Sequence, residues 1–312
     1  MPTLVAARRR ASVPDDRWLG LWPAVAPLDV SVWDLTSSPL RPCSFVVTPY
    51  LDAGPLLPRL AEVERLEVVQ TLTAGYENVL PHLPEGVTLC SAAGVHDSST
   101  AELAVGLAIA AQRGIGDAAR DAVTGTWDAW ARPSLADRRV LVVGVGGVGS
   151  AIADRLAAFE VGLTRVGTRA RDDARGHVHA AGELPGLLAE AEIVILACPL
   201  TPGTRGMADA AFLAAMPDGA LLVNVARGPV VVTDALLAEV GSGRLRAALD
   251  VTDPEPLPAE HPLWHAPGVL ITPHVGGNTS AFVPRARALL RDQLTRFAQG
   301  RPLRNLVAGP AR

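Results

Sequence analysis

The stretch from Arg139 to Phe159 constrains this chain more than any other. Val140-Leu141-Val142-Val143 reads as a buried strand, runs straight into Gly144-Val145-Gly146-Gly147-Val148-Gly149, and those glycines open a helix-like segment, Ala151 to Phe159. In a chain with 29 glycines the G-x-G-x-x-G pattern is weak by itself. Between a strand and a helix it specifies a βαβ unit whose first turn accepts a pyrophosphate. The first glycine permits the tight turn, the second lets a phosphate approach the backbone, the third lets helix and strand pack, and the helix N-terminus favours negative charge. Gly144, Gly146, Gly147, Val148 and Gly149 are therefore candidate dinucleotide-binding residues.

The tip of the next strand bears on which dinucleotide. An NAD-preferring site places Asp or Glu there, about 20 residues after the glycines, to hold the ribose 2′-hydroxyl. This chain has Val166-Gly167-Thr168-Arg169-Ala170-Arg171, with no carboxylate before Asp172. A hydroxyl at Thr168 and a guanidinium at Arg169 suit a 2′-phosphate, so NADP is the expected cofactor, with NAD as the alternative.

Strand-like runs follow at Leu163 to Thr168, Glu192 to Cys198, Ala220 to Val225, Ala247 to Val251 and Val269 to Thr272, which with Val140 to Val143 predict one doubly wound parallel sheet. Before residue 95, Val30 to Leu35, Phe45 to Val47, Leu66 to Leu72 and Val87 to Leu89 alternate with polar segments of helix length, predicting a second sheet of the same kind. The 312 residues fit about two domains. Ser99-Thr100-Ala101-Glu102 reads as a capping box before a helix apolar on nearly every face. Asp121 to Asp137, with Trp127 and Trp130, reads as a connecting arm. Arg285 to Ala298 reads as a helix that, with its tail, is too short to fold alone and must pack back onto the first domain.

Composition removes several classes of function. All 28 basic residues are Arg, so Schiff-base, P-loop and general-base lysines are excluded. The net charge is −4, and the isolated Arg8-Arg9-Arg10 run is too small a patch for nucleic acid. Cys43, Cys90 and Cys198 are far apart and lack metal-ligand spacing, so neither a disulfide framework nor a metal site is expected. No apolar run approaches the roughly 18 residues needed to span a bilayer, and no leader-like segment is seen, so a soluble, cytoplasmic, unprocessed chain is expected.

Three charged positions point to a reaction. Arg227 follows an apolar strand and precedes Gly228; Glu255 lies in the Pro-stiffened turn Asp253-Pro254-Glu255-Pro256; His274 stands at another strand tip before Gly276-Gly277. Singly, each is better read as an ordinary surface or structural residue. All three, however, fall at carboxyl ends of parallel strands of the sheet that carries the glycine loop, where open α/β sheets bind ligands. Reduction of a 2-oxo acid needs this set: a bidentate cation for the carboxylate, a proton donor for the developing alkoxide, and a carboxylate to sustain that donor.

These motifs, with Leu89-Cys90-Ser91-Ala92-Ala93-Gly94-Val95-His96 and Pro199-Leu200-Thr201-Pro202-Gly203-Thr204-Arg205, resemble the D-isomer-specific 2-hydroxyacid dehydrogenase family, which includes glyoxylate/hydroxypyruvate reductases. The resemblance runs from about residue 65 to 285. It implies a Rossmann-type cofactor domain, 98–282, carrying a dimerisation arm, and a discontinuous flavodoxin-like substrate domain, 1–97 with 283–312. Arg227 then binds substrate, Glu255 orients His274, and His274 is the acid/base. The resemblance further implies that Ala74 and Gly75 hold the substrate carboxylate, and that Pro199, Thr204, Val225, Ala226, Asp250, His274 and Gly277 line the cofactor alongside the glycine loop, Thr168 and Arg169. The implied partners are a small 2-oxo or 2-hydroxy acid and a second copy of the chain. Some relatives act instead as nicotinamide-sensing corepressors, the alternative reading. Two departures stand out: Tyr76-Glu77 replaces a smaller residue and Asp, and the carboxylate near Thr168 is missing.

Overall fold

The short apolar runs fold as strands of two mainly parallel sheets. The computed structural model describes residues 9–19, 28–36, 42–50 and 53–309; Arg8 of the arginine run and positions 310–312 of the expected tail lie outside them. The described chain divides into two compact units, one of residues up to His96 plus those from Ser280 onward, the other Asp97–Thr279.

The first unit begins with β1 (Arg9–Val13), β2 (Leu28–Val32), β3 (Phe45–Val47), β4 (Val68–Gln70) and β5 (Thr88–Cys90). Their spatial order 2-1-3-4-5 is the flavodoxin-like winding. β1 escaped the sequence reading because its first two residues, Arg9 and Arg10, are exposed and only Ala11–Val13 are buried. It is a strand because β2 and β3 pair with it on both sides. Thr88–Cys90 and Val68–Gln70 are shifted or trimmed relative to the predicted runs.

The second unit carries α1 (Asp97–Arg113), α2 (Ile115–Thr124), β6 (Arg139–Val143), α3 (Gly147–Leu156), β7 (Gly162–Gly167), β8 (Arg171–Asp173), β9 (Gly176–Ala180), α4 (Leu184–Leu188), β10 (Ile193–Leu196), α5 (Ala210–Ala215), β11 (Leu221–Asn224), α6 (Thr233–Gly241), β12 (Arg246–Leu249) and β13 (Val269–Ile271). The sheet order is β13-β12-β11-β10-β6-β7-β9-β8, the Rossmann order with one further parallel strand and an antiparallel edge strand, β8. Its side chains alternate between two faces. Leu141, Val143, Val194, Leu196 and Leu222 pack with α4, α5 and α6, while Val140, Val142, Ile193, Ile195 and Val223 pack with α1 and α3. Burying each such side chain contributes roughly 1.5–3 kcal/mol, so both faces are covered.

The structure corrects three expectations here. The sheet has eight strands rather than six, because β8 is polar and exposed and β9, with Val178 its one buried residue, carries no hydrophobic run. The helix starts at Asp97, so Ser99 is inside the first turn and caps nothing; its hydroxyl is 2.8 Å from that of Thr279. The stretch read as an arm from Asp121 is helical through Thr124 and ends at Gly125, φ 70°, after which Trp127 and Trp130 are 94% and 81% exposed.

The chain then returns to the first unit as α7 (Phe282–Ala298) and β14 (Leu306–Ala308). Phe282, Ala286, Leu290, Leu294 and Phe297 recur at helical spacing and pack on Ala11, Val13, Phe45, Val47 and Val68. β14 joins β5 antiparallel. Among the described residues no helix is long and apolar enough to cross a membrane.

Candidate active site

The glycine loop connects β6 to α3, and each glycine answers a different demand. Gly144 has φ 106°, and a Cβ there would meet the Cys198 amide nitrogen at 2.6 Å. A Cβ on Gly149 would collide with the Gly144 carbonyl, and one on Gly147 with the Asp97 carboxylate. Gly146 alone faces open space, and α3 has no side-chain cap on its first amides. An uncapped helix N-terminus beside a bare backbone face fits a pyrophosphate. Val148 is half-buried on α3.

Thr168 and Arg169 are exposed just past β7. The sequence reading missed what braces them. Arg165, buried within β7, makes a bidentate pair with Asp173 at 2.9 and 2.7 Å, and Arg175 makes another with Asp154 on α3 at 2.5 and 2.8 Å. The Arg165 pair and the Arg175 amide hold the Asp173 carboxyl down to about 2. The β8–β9 hairpin is thus tied to both β7 and α3. Arg171 folds back over the tip, its guanidinium 3.3 Å from where a Gly167 Cβ would stand. A charged hairpin carries no hydrophobic period, so only Thr168 and Arg169 were singled out.

Arg227, Glu255 and His274 converge within the second unit. Arg227 follows β11, in an extended conformation that starts a tight turn; a Cβ on Gly228 would collide with the Thr252 carbonyl, so that glycine lets the turn press on the segment after β12. Glu255 lies on that segment and its Oε1 is hydrogen-bonded to His274 Nδ1. Burial pushes the Glu255 carboxyl up, but the His274 hydrogen bond and charge, a Thr252 backbone hydrogen bond and the Arg227 charge outweigh it and hold the group below its ordinary value. An ionised carboxylate only accepts, so Nδ1–H donates and Nε2 is left for a ligand. The pair stays reachable, with His274 and Glu255 side chains 45% and 39% exposed.

His274 has φ 51°, a left-handed conformation that is costly for histidine and recurs at functional sites. Asp250, 3% exposed, supplies the compensation. Its carboxylate accepts from the Thr272 hydroxyl at 2.6 Å and from the Val275 and Gly276 amides at 2.9 Å each, and its carbonyl accepts from the His274 amide at 2.8 Å. Asp250 therefore braces the His274 turn, a role the sequence did not suggest. Asn224 does the same for Arg227: its Nδ2 donates to the Arg227 carbonyl at 3.1 Å and its Oδ1 accepts from the Ala226 amide at 3.0 Å.

The remaining predicted residues fall as follows. Pro199 and Thr204 follow β10, where the Thr204 hydroxyl donates to the Pro199 carbonyl at 2.6 Å and so staples its own loop. Val225 and Ala226 are buried after β11, and Gly277 lies in the turn after His274. Ala74 and Gly75 are half-buried in the first unit, on the loop after β4. Tyr76 packs into that unit's core, its amide donating to Glu77 Oε2 at 2.8 Å. Trp264 and His265 line a cavity of about 560 Å³ with Arg132 and Arg246, to which none of the three converging residues contributes.

Because the fold lowers the Glu255 value, its ionisation stabilises the folded chain above pH 4.5 and that contribution is lost as pH falls through the lowered value. The expected result is that Glu255→Gln flattens the fall of Tm below pH 4.5, measured by thermal denaturation against pH, and lowers kcat by about 10-fold or more through a mis-oriented imidazole.

The chain and its fold are similar to known proteins. The model for "D-isomer specific 2-hydroxyacid dehydrogenase, NAD binding domain" matches residues 105–276. The chain is 32% identical over 249 residues to the human glyoxylate reductase/hydroxypyruvate reductase, covering 76% of each chain. It superimposes with a TM-score of 0.82 and 29% identity on a D-isomer specific 2-hydroxyacid dehydrogenase from Xanthobacter autotrophicus Py2 in complex with NADPH and MES, covering 97% of this chain and 99% of that one. An NADPH-dependent glyoxylate/hydroxypyruvate reductase from Sinorhizobium meliloti, in complex with NADP and sulfate, gives a TM-score of 0.82 at 25% identity, covering 96% and 98%. With a family model over more than half of its length and a relative 32% identical over 76% of each chain, this chain belongs to the D-isomer specific 2-hydroxyacid dehydrogenase family.

Proposed function

We propose that the protein reduces a small 2-oxo acid of the glyoxylate or hydroxypyruvate type to the D-2-hydroxy acid, with NADPH preferred over NADH. One observation carries this reading: an ionised Glu255 holding the His274 ring, with the Arg227 charge beside it, in the sheet whose glycine loop suits a pyrophosphate. The names of the human and Sinorhizobium relatives support the substrate class, and the two complexes support the cofactor.

A bound nicotinamide supplies the hydride. Gly144–Gly149 hold the pyrophosphate, Thr168 and Arg169 the 2′-phosphate, and Pro199, Thr204, Val225, Ala226, Asp250 and Gly277 form the rest of that wall. Arg227 grips the substrate carboxylate in a bidentate pair, and the Ala74 and Gly75 amides share it. His274, as imidazolium, donates from Nε2 to the oxygen as negative charge develops there, while Glu255 keeps the ring in place and offsets its charge. The arm that exposes Trp127 and Trp130 is the contact surface of a homodimer. Three free, buried cysteines suit a reducing cytoplasm.

Nicotinamide absorbance, followed with glyoxylate, hydroxypyruvate, pyruvate and phenylpyruvate and both cofactors, tests the reading. Turnover with glyoxylate or hydroxypyruvate and a higher kcat/KM with NADPH are expected. Arg169→Ala should lower kcat/KM for NADPH about 10- to 100-fold and leave NADH untouched, the loss of one charge-assisted contact. Preference for NADH in the native chain overturns the cofactor assignment, and absence of turnover overturns the function.

A further inference from the structure

The loop after β4 is held in place from the far end of the chain. Gln70, the last residue of β4, and Gln293, in the middle of α7, are both 0% exposed, and the chemistry above uses neither. A buried amide is tolerated only when its hydrogen bonds are made, and here they have a direction. Gln293 Nε2 donates to Gln70 Oε1 at 2.7 Å and to the Arg304 carbonyl at 3.0 Å, while Gln293 Oε1 accepts from the Arg304 amide at 2.8 Å. With its oxygen turned to Gln293, Gln70 must point its NH₂ the other way, and Nε2 donates to the Thr71 carbonyl at 2.8 Å and the Cys90 carbonyl at 3.3 Å. A flipped Gln70 would set two NH₂ groups against each other.

From Thr71 the bonding continues residue by residue, each threonine held at its carbonyl and donating onward from its hydroxyl. The Thr71 hydroxyl donates to the Thr73 carbonyl at 2.8 Å, the Thr73 hydroxyl donates to the Gly75 carbonyl at 2.7 Å, and the Ala92 amide also donates to Thr73 at 2.8 Å. A single relay thus runs from α7 through Gln70, Thr71 and Thr73 to Gly75. We infer that Gln293 is a positioning residue for the substrate carboxylate: the relay fixes the Thr73–Ala74 and Gly75–Tyr76 peptide planes, and so sets the Ala74 amide directly and the Gly75 amide between them. The inference rests on the reading of that loop as a carboxylate-binding element.

Steady-state kinetics with glyoxylate at saturating NADPH, NADPH affinity and Tm are measured for Gln293→Leu, for the double variant Gln70→Leu/Gln293→Leu, and for Gly75→Pro, which deletes one loop amide. Gln293→Leu is expected to raise KM for glyoxylate about 10-fold or more, the effect of an orphaned buried partner, with kcat and NADPH affinity held. The double variant removes both buried amides, so Tm recovers in part, with the Arg304 backbone groups still unpaired, yet KM stays high because the Gln70 bond to the Thr71 carbonyl is gone. A native KM in Gln293→Leu, or KM recovering together with Tm in the double variant, overturns the inference and leaves Gln293 a core residue. Should Gln293→Leu not fold, the double variant carries the same comparison. An unchanged KM in Gly75→Pro overturns the loop reading itself, whereas a raised KM there with a native KM in the glutamine variants overturns only the role of Gln293.

Discussion

His274→Ala is expected to lower kcat by about 10²- to 10⁴-fold, the usual worth of a positioned proton donor, while NADPH binding stays at its native level. The residue is braced both at its ring and at its backbone. Glu255 holds Nδ1, and Asp250 holds the backbone turn on which the residue sits at φ 51°. Strained conformations of this kind recur at functional sites, and a buried carboxylate sustains this one. Turnover by nicotinamide absorbance and cofactor binding by fluorescence titration separate the two quantities. Native kcat in the variant would remove His274 from the reaction, and lost NADPH binding would make its role one of cofactor support.

Arg227→Ala is expected to lower kcat/KM for the 2-oxo acid by about 30- to 5,000-fold, the cost of truncating one partner of a desolvated charge pair. Arg227→Lys should recover only part of this, since an ammonium cannot reproduce two parallel N–H donors. An aldehyde without the carboxylate provides the internal control, because its kcat/KM should respond little to either change. If glyoxylate and the aldehyde suffer equally, Arg227 acts on the fold of its turn, which Asn224 and Gly228 hold tightly, and not on the carboxylate.

Much of the fold was legible because its signals are local. A buried central strand must be almost continuously apolar, so Val140–Val143, Ile193–Leu196 and Leu221–Val223 stand out in the sequence, and the glycine loop follows from the backbone's need for φ above zero and bare surface. Edge strands lack that constraint. β8 is polar and exposed, β9 buries a single valine, and β1 opens on two arginines, so each exists only through its pairing. The capping box at Ser99 misled for a related reason: its residue types fit a helix start, but Asp97 already opens the helix and packs against Gly147.

The site divides along the same line. Residue type and strand-end position were enough to select Arg227, Glu255 and His274 from the sequence, since reaction chemistry restricts which groups can serve and α/β topology restricts where they stand. Their bracing was invisible. Asp250, Asn224, Arg165 and the Gln70–Gln293 pair act through hydrogen bonds to partners that share no local pattern with them, one pair being separated by 223 residues. Sequence alone pointed to the fold class, the glycine loop and the candidate trio at the strand ends, because each obeys a short-range rule of period, turn or chemistry. Only the tertiary structure decided which buried polar groups aim them, because a hydrogen bond depends on where two chain segments meet, and that meeting is a property of the packed sheet rather than of any stretch of residues.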